Sequence, residues 1–228
     1  MSLVTLFAKI KKLAHAVLPK QAVNAIRMYK NSKKRNRRLD IGPGGAAMPG
    51  YETLDIAAAP WVDYVLDASA PLPFGDDTFV EIHASHVLEH LPWYNSERIL
   101  REWVRILAPG GWLKVIVPDG LKACQVLLEY EIGGRDMTSC WPNYEGNPEK
   151  DPCVWANRFI YAHGEWTGDS GHPQWHHALF TPRYLKQLLE KVGLTNVQQL
   201  SREETVELGH WSVSIALKGQ KPSTKRNG

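Results

Sequence analysis

The sequence predicts a single α/β domain built on a mostly parallel, seven-stranded sheet with helices on both faces. Three observations lead to this prediction. Short apolar segments alternate with amphipathic helical segments along the middle of the chain. Several of the short segments end directly on a glycine or a carboxylate. A length of 228 residues, 43% of them apolar, suits one domain with a full core.

The elements follow one another at regular intervals. Strands are predicted over residues 38–41, 51–56, 63–66, 79–84, 112–117, 196–200 and 210–217. A helix over 95–107 places Ile99, Leu100 and Trp103 on one face, and the following Pro-Gly-Gly at 109–111 is expected to stop it. A later helix over 181–192 has Thr181 as its N-cap and Pro182 at its first position.

Charge is divided unevenly along the chain. Residues 1–38 carry eleven Lys or Arg and no acid, and residues 218–228 carry four more, whereas residues 39–217 hold twelve basic and twenty-four acidic residues. We therefore expect no nucleic acid at the core, and any basic partner surface belongs to the ends. The predicted organisation is a basic helical arm over 1–37, a domain over 38–217 and a disordered basic tail over 218–228.

The arm contains two helical patterns. The first is a basic amphipathic helix that stops near Pro19, and the second runs over 21–29. The preferred interpretation is that the first helix packs on the domain. Peripheral contact with anionic lipid, or with a protein partner, is the alternative. Because no apolar run is long enough to cross a membrane as a helix, we expect a cytoplasmic protein.

The ends of the predicted strands carry the residues of functional interest. Glycines follow the first strand, Asp55 ends the second, Asp67 the third, and Ser85 and His86 the fourth. In a parallel sheet these ends meet at one edge, where ligands bind near the point at which the strand order reverses. Glycines allow close backbone approach and carboxylates accept ribose hydroxyls, so the pattern predicts a nucleoside-containing ligand.

The connection between the first two strands is too short for a full helix. Asp40 and Asp55 are separated by two strand ends and a loop, so the first connecting helix must be truncated. A truncated helix offers a poor N-terminus to a pyrophosphate. A ligand without phosphates therefore fits the pattern better than a dinucleotide.

A family resemblance covers Arg38 to Asp119 as an ordered set of segments. The segments are Leu39-Asp-Ile-Gly-Pro-Gly44, Leu54-Asp-Ile56, Leu66-Asp67, Leu72-Pro-Phe74, Ser85-His-Val-Leu-Glu-His-Leu91 and Leu107-Ala-Pro-Gly-Gly-Trp-Leu113. In this order the chain resembles class I S-adenosylmethionine-dependent methyltransferases. It is most similar to the bacterial members predicted to act on small molecules or in glycan pathways.

The resemblance implies a Rossmann-like fold, S-adenosylmethionine as cofactor, and a role for each matching residue. Asp40, Gly42 and Gly44 would surround the methionine part of the cofactor. Asp55 would bind the ribose hydroxyls, with Ile56 beside it. Asp67 and the backbone of Ala68 would meet the adenine, and Ser85 and His86 would line the floor beside the sulfonium. Taken singly, Asp40, Asp55 and Asp67 could each serve a structural hydrogen bond or a turn instead.

Methyl transfer to a hydroxyl or amine is assisted by a general base, and histidine suits that role at neutral pH. The candidates are His86, His90 and His176. His86, Glu89 and His90 are spaced so that one helical face can carry all three. They also match H-x-x-E-H, an inverted zinc-protease pattern, for which Glu165 could supply a third ligand. Some methyltransferases, among them those of ubiquinone synthesis and of small-RNA ends, bind a divalent metal here through Glu-x-x-Glu-His. This chain has His86 in place of the first Glu, and imidazole is a poor ligand for a magnesium-type ion. The preferred interpretation has no metal. A metal-dependent hydrolase and a non-catalytic cofactor-binding partner subunit remain as alternatives.

The long segment over 120–180, between the fifth strand and the next helix, is rich in tryptophan, tyrosine and histidine. Segments of this length tend to be functional, and in this class the segment commonly forms a cap over the acceptor. We therefore expect a small-molecule or glycan-type acceptor, with Asp119, His163 and Trp175 as substrate-binding residues. The alternative is that the aromatic residues form a local core.

Overall fold

Seven strands form one sheet at the centre of the computed structural model, which describes residues 20–134, 151–161, 169, 171–201, 204 and 213–223. The strands are β1 (Arg38–Ile41), β2 (Glu52–Asp55), β3 (Tyr64–Val65), β4 (Phe79–Ser85), β5 (Leu107–Pro118), β6 (Thr195–Gln199) and β7 (Ser214–Gln220). Their order is β3-β2-β1-β4-β5-β7-β6. β7 runs antiparallel to β5 and β6, and the other pairs are parallel. The predicted mostly parallel, seven-stranded sheet is confirmed.

The described helices are α1 (Lys20–Asn31), α2 (Ser96–Ile106), α3 (Gly120–Glu131), α4 (Pro152–Tyr161) and α5 (Pro182–Lys191). α2 and α5 bury their apolar sides with Leu39, Ile41 and Leu54 in the main core, on one face of the sheet. The opposite face carries Asp40 and His83, because neighbouring residues of a strand point to opposite sides.

α3 and α4 pack mainly against each other. Their apolar residues form a second cluster, in which Trp155 is buried and stacks on Phe159 with 5.2 Å between ring centroids. Part of the aromatic content of residues 120–180 therefore forms a local core, as the structural alternative predicts. Trp141 and Trp166 lie outside the described residues.

The end of α2 differs from the prediction. The helix ends at Ile106, and Leu107 is already extended as the first residue of β5. Pro109, Gly110 and Gly111 therefore lie inside a strand and do not terminate the helix. A side chain at 111 would come within 2.8 Å of the carbonyl oxygens of Val80 and Ala108, so this glycine allows close packing of two backbones.

The C-terminal boundary also differs from the prediction. β7 continues to Gln220, because its pairing with β5 extends as far as Trp112 opposite Gln220. The ammonium of Lys221 then lies 2.6 Å from the carbonyl oxygen of Leu107 and 2.8 Å from that of Val104. The first residues assigned to the basic tail thus belong to the sheet, and residues 224–228 lie outside the described chain.

The second helical pattern of the arm is α1, and it packs on the edge of the sheet. The Asn24 side chain donates to the Val65 carbonyl and accepts from the Val65 N–H, each at 3.1 Å. Asn31 donates to the Tyr64 hydroxyl at 2.7 Å. The predicted first helix of the arm lies outside the described residues. Among the helices that the structure describes, none is long and apolar enough to cross a membrane.

Candidate active site

The order of the strands reverses between β1 and β4, which pair side by side with Ile41 opposite Ala84. The chain leaves β1 through turns that contain no helix before β2, as the short connection predicts. Gly42 and Gly44 in this loop have φ angles of 67° and 60°, in the left-handed region that favours glycine. The loop therefore follows a path along the strand ends that other residues adopt only with strain.

The two glycines differ in their surroundings. A side chain at Gly42 would lie 2.3 Å from Cγ2 of Val87, just after β4, so this glycine lets the two strand ends approach each other. A side chain at Gly44 would meet no atom within 4 Å. The open side of Gly44 is thus a place where a ligand can approach the backbone.

Asp55 is the last residue of β2, and Asp67 lies two residues after the end of β3, close to where the sequence predicts them. One oxygen of Asp55 accepts the N–H of Ala57 at 2.8 Å, and one oxygen of Asp67 accepts the N–H of Ser69 at 2.8 Å. Each aspartate therefore makes the turn that the structural alternative predicts. Since such a turn uses one carboxylate oxygen, it leaves the other available to a ligand. Ile56 follows Asp55 and is exposed.

Asp40 and Ala68 serve the fold in the structure. The carboxylate of Asp40 is buried and lies 2.8 Å from Nδ1 of His83 on the neighbouring strand. Ala68 is buried, and its carbonyl oxygen accepts the indole N–H of Trp103 at 3.1 Å. For Asp40 the structure thus shows the structural hydrogen bond that was weighed against cofactor binding.

His86, Glu89 and His90 come together, though by a different geometry from the one predicted. Leu88–His90 is a single 3-10 turn, so the predicted α-helical face is wrong. His86 lies outside that turn with a φ of 53°, a rare value for a residue other than glycine. This backbone position brings its Nδ1 atom to 2.9 Å from Oε1 of Glu89.

His176 reaches the same place through backbone hydrogen bonds. The carbonyl oxygen of Glu89 accepts the N–H groups of His177 and Ala178 at 2.7 Å and 3.0 Å. As a result the rings of His90 and His176 lie 4.8 Å apart between centroids. One donor atom each from Glu89, His90 and His176 lies within 4.8 Å of the other two. We call these three residues the Glu–His–His group.

Glu89 is the most buried member of the group, with only 1% of its surface exposed. Burial by itself raises the pKa of its carboxyl, but the hydrogen bond from His86 and the charges of His86, His90 and His176 bring the pKa below its ordinary value. The Oε2 atom of Glu89 has no hydrogen-bond partner among the described residues.

A cleft of about 470 Å³ opens beside the Glu–His–His group. Its walls include Trp93, Tyr161, His176, Leu179 and Tyr184. His176 is buried, whereas the other four side chains are apolar or aromatic and substantially exposed. Trp93, Leu179 and Tyr184 are not among the site residues that the sequence predicts. Trp93 carried a signal, because it follows the histidine motif directly and no helical or strand pattern requires it.

A sequence model described as the methyltransferase domain matches residues 14–199, which is more than half of the chain. The chain belongs to this family. The predictions of a class I methyltransferase and of S-adenosylmethionine as its cofactor are confirmed. The bacterial glycan-pathway subtype stays a prediction.

Solved structures similar to this methyltransferase share low sequence identity with it. An S-adenosylmethionine-dependent methyltransferase from Methanosarcina mazei is 18% identical with a TM-score of 0.45, covering 86% of this chain and 98% of that one. A possible histamine N-methyltransferase from Thermotoga maritima is 19% identical with a TM-score of 0.40, covering 94% and 96%. The CurJ carbon methyltransferase is 17% identical with a TM-score of 0.46.

The comparison with CurJ covers 90% of this chain but only 54% of the CurJ chain, so this chain spans about half the length of that protein. No curated protein matches this chain.

Asp119 and Trp175, two of the three predicted substrate-binding residues, make contacts within the protein. Asp119 is the N-cap of α3 and accepts the N–H of Lys122 at 3.1 Å. Trp175 contributes its carbonyl oxygen, which lies 3.3 Å from Nδ1 of His90. His163 and Glu165 lie outside the described residues. Asp119 thus caps the start of α3, and the carbonyl group of Trp175 helps to orient the ring of His90.

Proposed function

We propose that this enzyme transfers the methyl group of S-adenosylmethionine to a hydroxyl or amine of a small-molecule or glycan-type acceptor by in-line displacement. The observation that carries the proposal is the position of the Glu–His–His group. Glu89 and His90 follow β4 in the chain, and His176 lines the aromatic cleft. Displacement at a sulfonium depends on alignment of nucleophile, methyl and sulfur, so a site that holds both reactants supplies much of the rate.

The loop after β1 and the end of β2 suit the cofactor. Gly44 presents an open backbone, and Asp55 has a second carboxylate oxygen for the ribose hydroxyls. Asp67 at the neighbouring strand end would meet the adenine. Ser85 and His86, at the end of β4, would lie beside the sulfonium. The cofactor supplies an activated methyl group, and the protein has to orient it toward the cleft.

The cleft suits an acceptor of modest size with an apolar face. Its volume of about 470 Å³ falls within the range of small-molecule sites, roughly 300–1,000 Å³. Exposed Trp93 and Tyr184 can stack on the apolar face of a sugar or on an aromatic ring. These two features support a small-molecule or glycan-type acceptor over a flat macromolecular surface.

His176 is the histidine best placed to accept the acceptor's proton. Its Nδ1 atom lies 3.1 Å from the carbonyl oxygen of Phe159, which only accepts hydrogen bonds. Nδ1 therefore carries a hydrogen, and in the neutral ring Nε2 is the basic atom. His90 is the second candidate, and His86 positions Glu89.

Calorimetric titration with S-adenosylmethionine and with S-adenosylhomocysteine tests the cofactor site. We expect both to bind the wild type and Asp55→Ala to bind at least about tenfold more weakly, since two charge-assisted hydrogen bonds are lost. Asp169→Ala is the control, because Asp169 makes the same kind of turn with Gly171 and is not among the residues expected to bind the cofactor. Failure of both ligands to bind, or unchanged binding by Asp55→Ala, would contradict the proposal.

Turnover on a library of hydroxyl- and amine-bearing acceptors tests the catalytic step. Transfer of a labelled methyl group to one of them supports the proposal. Tight cofactor binding without any turnover would instead favour a non-catalytic partner subunit.

We also propose that residues 1–19 contact anionic lipid or a protein partner. α1 packs on β3, so the arm should be removed before Lys20 and not within α1. Flotation with vesicles containing anionic lipid should decrease in the chain that begins at Lys20. Equal flotation of both chains would contradict lipid contact.

A further inference from the structure

We propose that Glu89, His90 and His176 form a binding site for a divalent transition-metal ion of the zinc type. The three side chains come from two separate segments of the chain, and their donor atoms converge to within 4.8 Å. Two donors on a tetrahedral zinc ion lie about 3.4 Å apart, because each bond is roughly 2.0–2.1 Å long. The widest pair in the group must therefore close by up to about 1.4 Å, which needs rotation of more than one of the three side chains.

The tautomers of both histidines are already set for coordination. Nδ1 of His90 lies 3.3 Å from the carbonyl oxygen of Trp175, and Nδ1 of His176 lies 3.1 Å from that of Phe159. Each carbonyl requires a hydrogen on Nδ1, so each neutral ring has its lone pair on Nε2. Metal-bound histidines almost always donate their other N–H to a carbonyl or carboxylate in this way.

The carboxylate of Glu89 provides an independent indication of a ligand. It is 99% buried, and its Oε2 atom has no hydrogen-bond partner among the described residues. A buried carboxylate oxygen without a partner is costly, and such an atom points to a bound ion or water. His86 holds the other oxygen at 2.9 Å, as outer residues hold the ligating carboxylates of metal sites.

The donor set favours zinc-type ions over magnesium. Two imidazole nitrogens and one carboxylate oxygen suit zinc, iron or cobalt, whereas magnesium prefers oxygen donors only. Three protein ligands also leave a coordination position open, as in catalytic zinc sites. The expectation that this segment holds no metal came from the sequence, which does not show that His176 joins Glu89 and His90.

The open position would face the acceptor cleft, because His176 lines its wall. This role rests on the proposed function: the ion would hold the nucleophilic oxygen or nitrogen of the acceptor and favour loss of its proton to solvent. His176 would then act as a ligand and not as the base. The metal site itself does not depend on the identity of the acceptor.

The site is tested by equilibrium titration of the full, untagged chain after removal of metals with a chelator. We expect one equivalent of Zn²⁺ to bind, and Mg²⁺ to bind at least about a hundredfold more weakly. Co²⁺ should give the visible absorption bands of a four- or five-coordinate site. Glu89→Gln and His176→Gln should each lose at least about tenfold in Zn²⁺ affinity, and His86→Gln about tenfold through the carboxylate that it holds.

His177→Gln is the matched control, since His177 is the exposed neighbour of His176 and is not in the group. It should bind Zn²⁺ as the wild type does. Thermal denaturation in chelator identifies any variant that fails to fold. For a variant that folds, loss of the Co²⁺ absorption bands shows that the substituted side chain is a metal ligand. Absence of stoichiometric Zn²⁺ binding, or equal binding by wild type, Glu89→Gln and His176→Gln, would overturn the proposal.

The two proposals fail in distinguishable ways. Cofactor binding without Zn²⁺ binding removes the metal site and leaves methyl transfer with a histidine base. Zn²⁺ binding without cofactor binding overturns the proposed function and leaves the metal site standing.

Discussion

Arg37 and Glu52 form a two-point ion pair, with Nε to Oε1 and Nη2 to Oε2 both at 2.9 Å. The Tyr64 hydroxyl donates to the same carboxylate at 2.7 Å and accepts from Asn31 of α1 at 2.7 Å. This buried polar network joins the described part of the arm to β2 and β3. α1 is thus connected to the sheet by specific hydrogen bonds as well as by apolar contact.

Replacing Glu52 by glutamine should lower the free energy of unfolding by about 3 kcal/mol, because it leaves the guanidinium of Arg37 partly buried without its charge partner. Urea denaturation measures the change. Glu97→Gln removes exposed ion pairs with Arg101 and Lys191 and should cost far less, because solvent screens charges at the surface. If both variants lose the same unfolding free energy, the buried network stabilises the protein no more than an exposed ion pair does.

Gly42→Ala should destabilise the enzyme more than Gly44→Ala. Both positions have a positive φ, which costs about 1–2 kcal/mol for alanine. Only at Gly42 would the new carbon also collide with Cγ2 of Val87, at 2.3 Å. Melting temperatures measure the difference, and Val87→Ala should partly rescue Gly42→Ala. A Gly44→Ala variant that melts at the lower temperature would contradict this account.

The stabilising effect of Glu81 should depend on pH. Burial by itself raises the pKa of its carboxyl, but hydrogen bonds from Tyr51 and Lys114 and the charges of Lys114 and Arg38 bring the pKa below its ordinary value of 4.5. A lowered folded-state pKa means that the stabilisation is present above about pH 4.5 and is lost as the pH falls through the folded-state pKa.

Glu81→Gln should therefore be about 1–3 kcal/mol less stable than the wild type at neutral pH. The two unfolding free energies should converge as the pH decreases below 4.5. Tyr51→Phe removes one hydrogen bond and should reduce the pH-dependent difference without abolishing it. A difference that stays constant down to acidic pH would contradict the assignment.

Lys221 should contribute measurably to stability although it follows the last strand. Its ammonium binds the carbonyl oxygens of Val104 and Leu107 at the end of α2 and pairs with Asp77 at 2.7 Å. Lys221→Met leaves these carbonyls without their donor and should cost about 1–3 kcal/mol in thermal or urea denaturation. Truncation after Ser223 retains these contacts and should cost little. A truncation that lowers stability more than Lys221→Met does would contradict the stabilising role of Lys221.

Much of the fold could be predicted because its signals are local. β1 was predicted at its observed bounds, and Thr181 caps α5 by accepting the N–H of Tyr184. The prediction for the end of α2 was wrong because a proline-glycine pair ends helices and also fits a bent strand. The strand forms here because Gly111 lets the backbone pack closely against the carbonyl oxygen of Val80 on the neighbouring strand.

The candidate site divides in the same way. The order of glycines and aspartates follows from the sequence, because a residue at the end of a strand, as Asp55 is, or just after it, as Asp67 is, lies at the edge of a parallel sheet. The turns that these carboxylates make with Ala57 and Ser69 are the structural role that the sequence also allows for them. The structural role of Asp40 depended on its register with His83, which a single strand does not reveal.

Contiguous segments of the sequence encode the alternation of strands and helices, the residues at the strand ends and the membership in a methyltransferase family, so these could be predicted without the structure. The meeting of His176 with Glu89 and His90, which lie 86 positions or more away along the chain, depends on tertiary contacts. The carbonyl oxygen of Glu89 binds the backbone beside His176, and no sequence pattern specifies such a contact between distant segments. The position of the group beside an aromatic cleft, on which both proposals depend, follows from that contact.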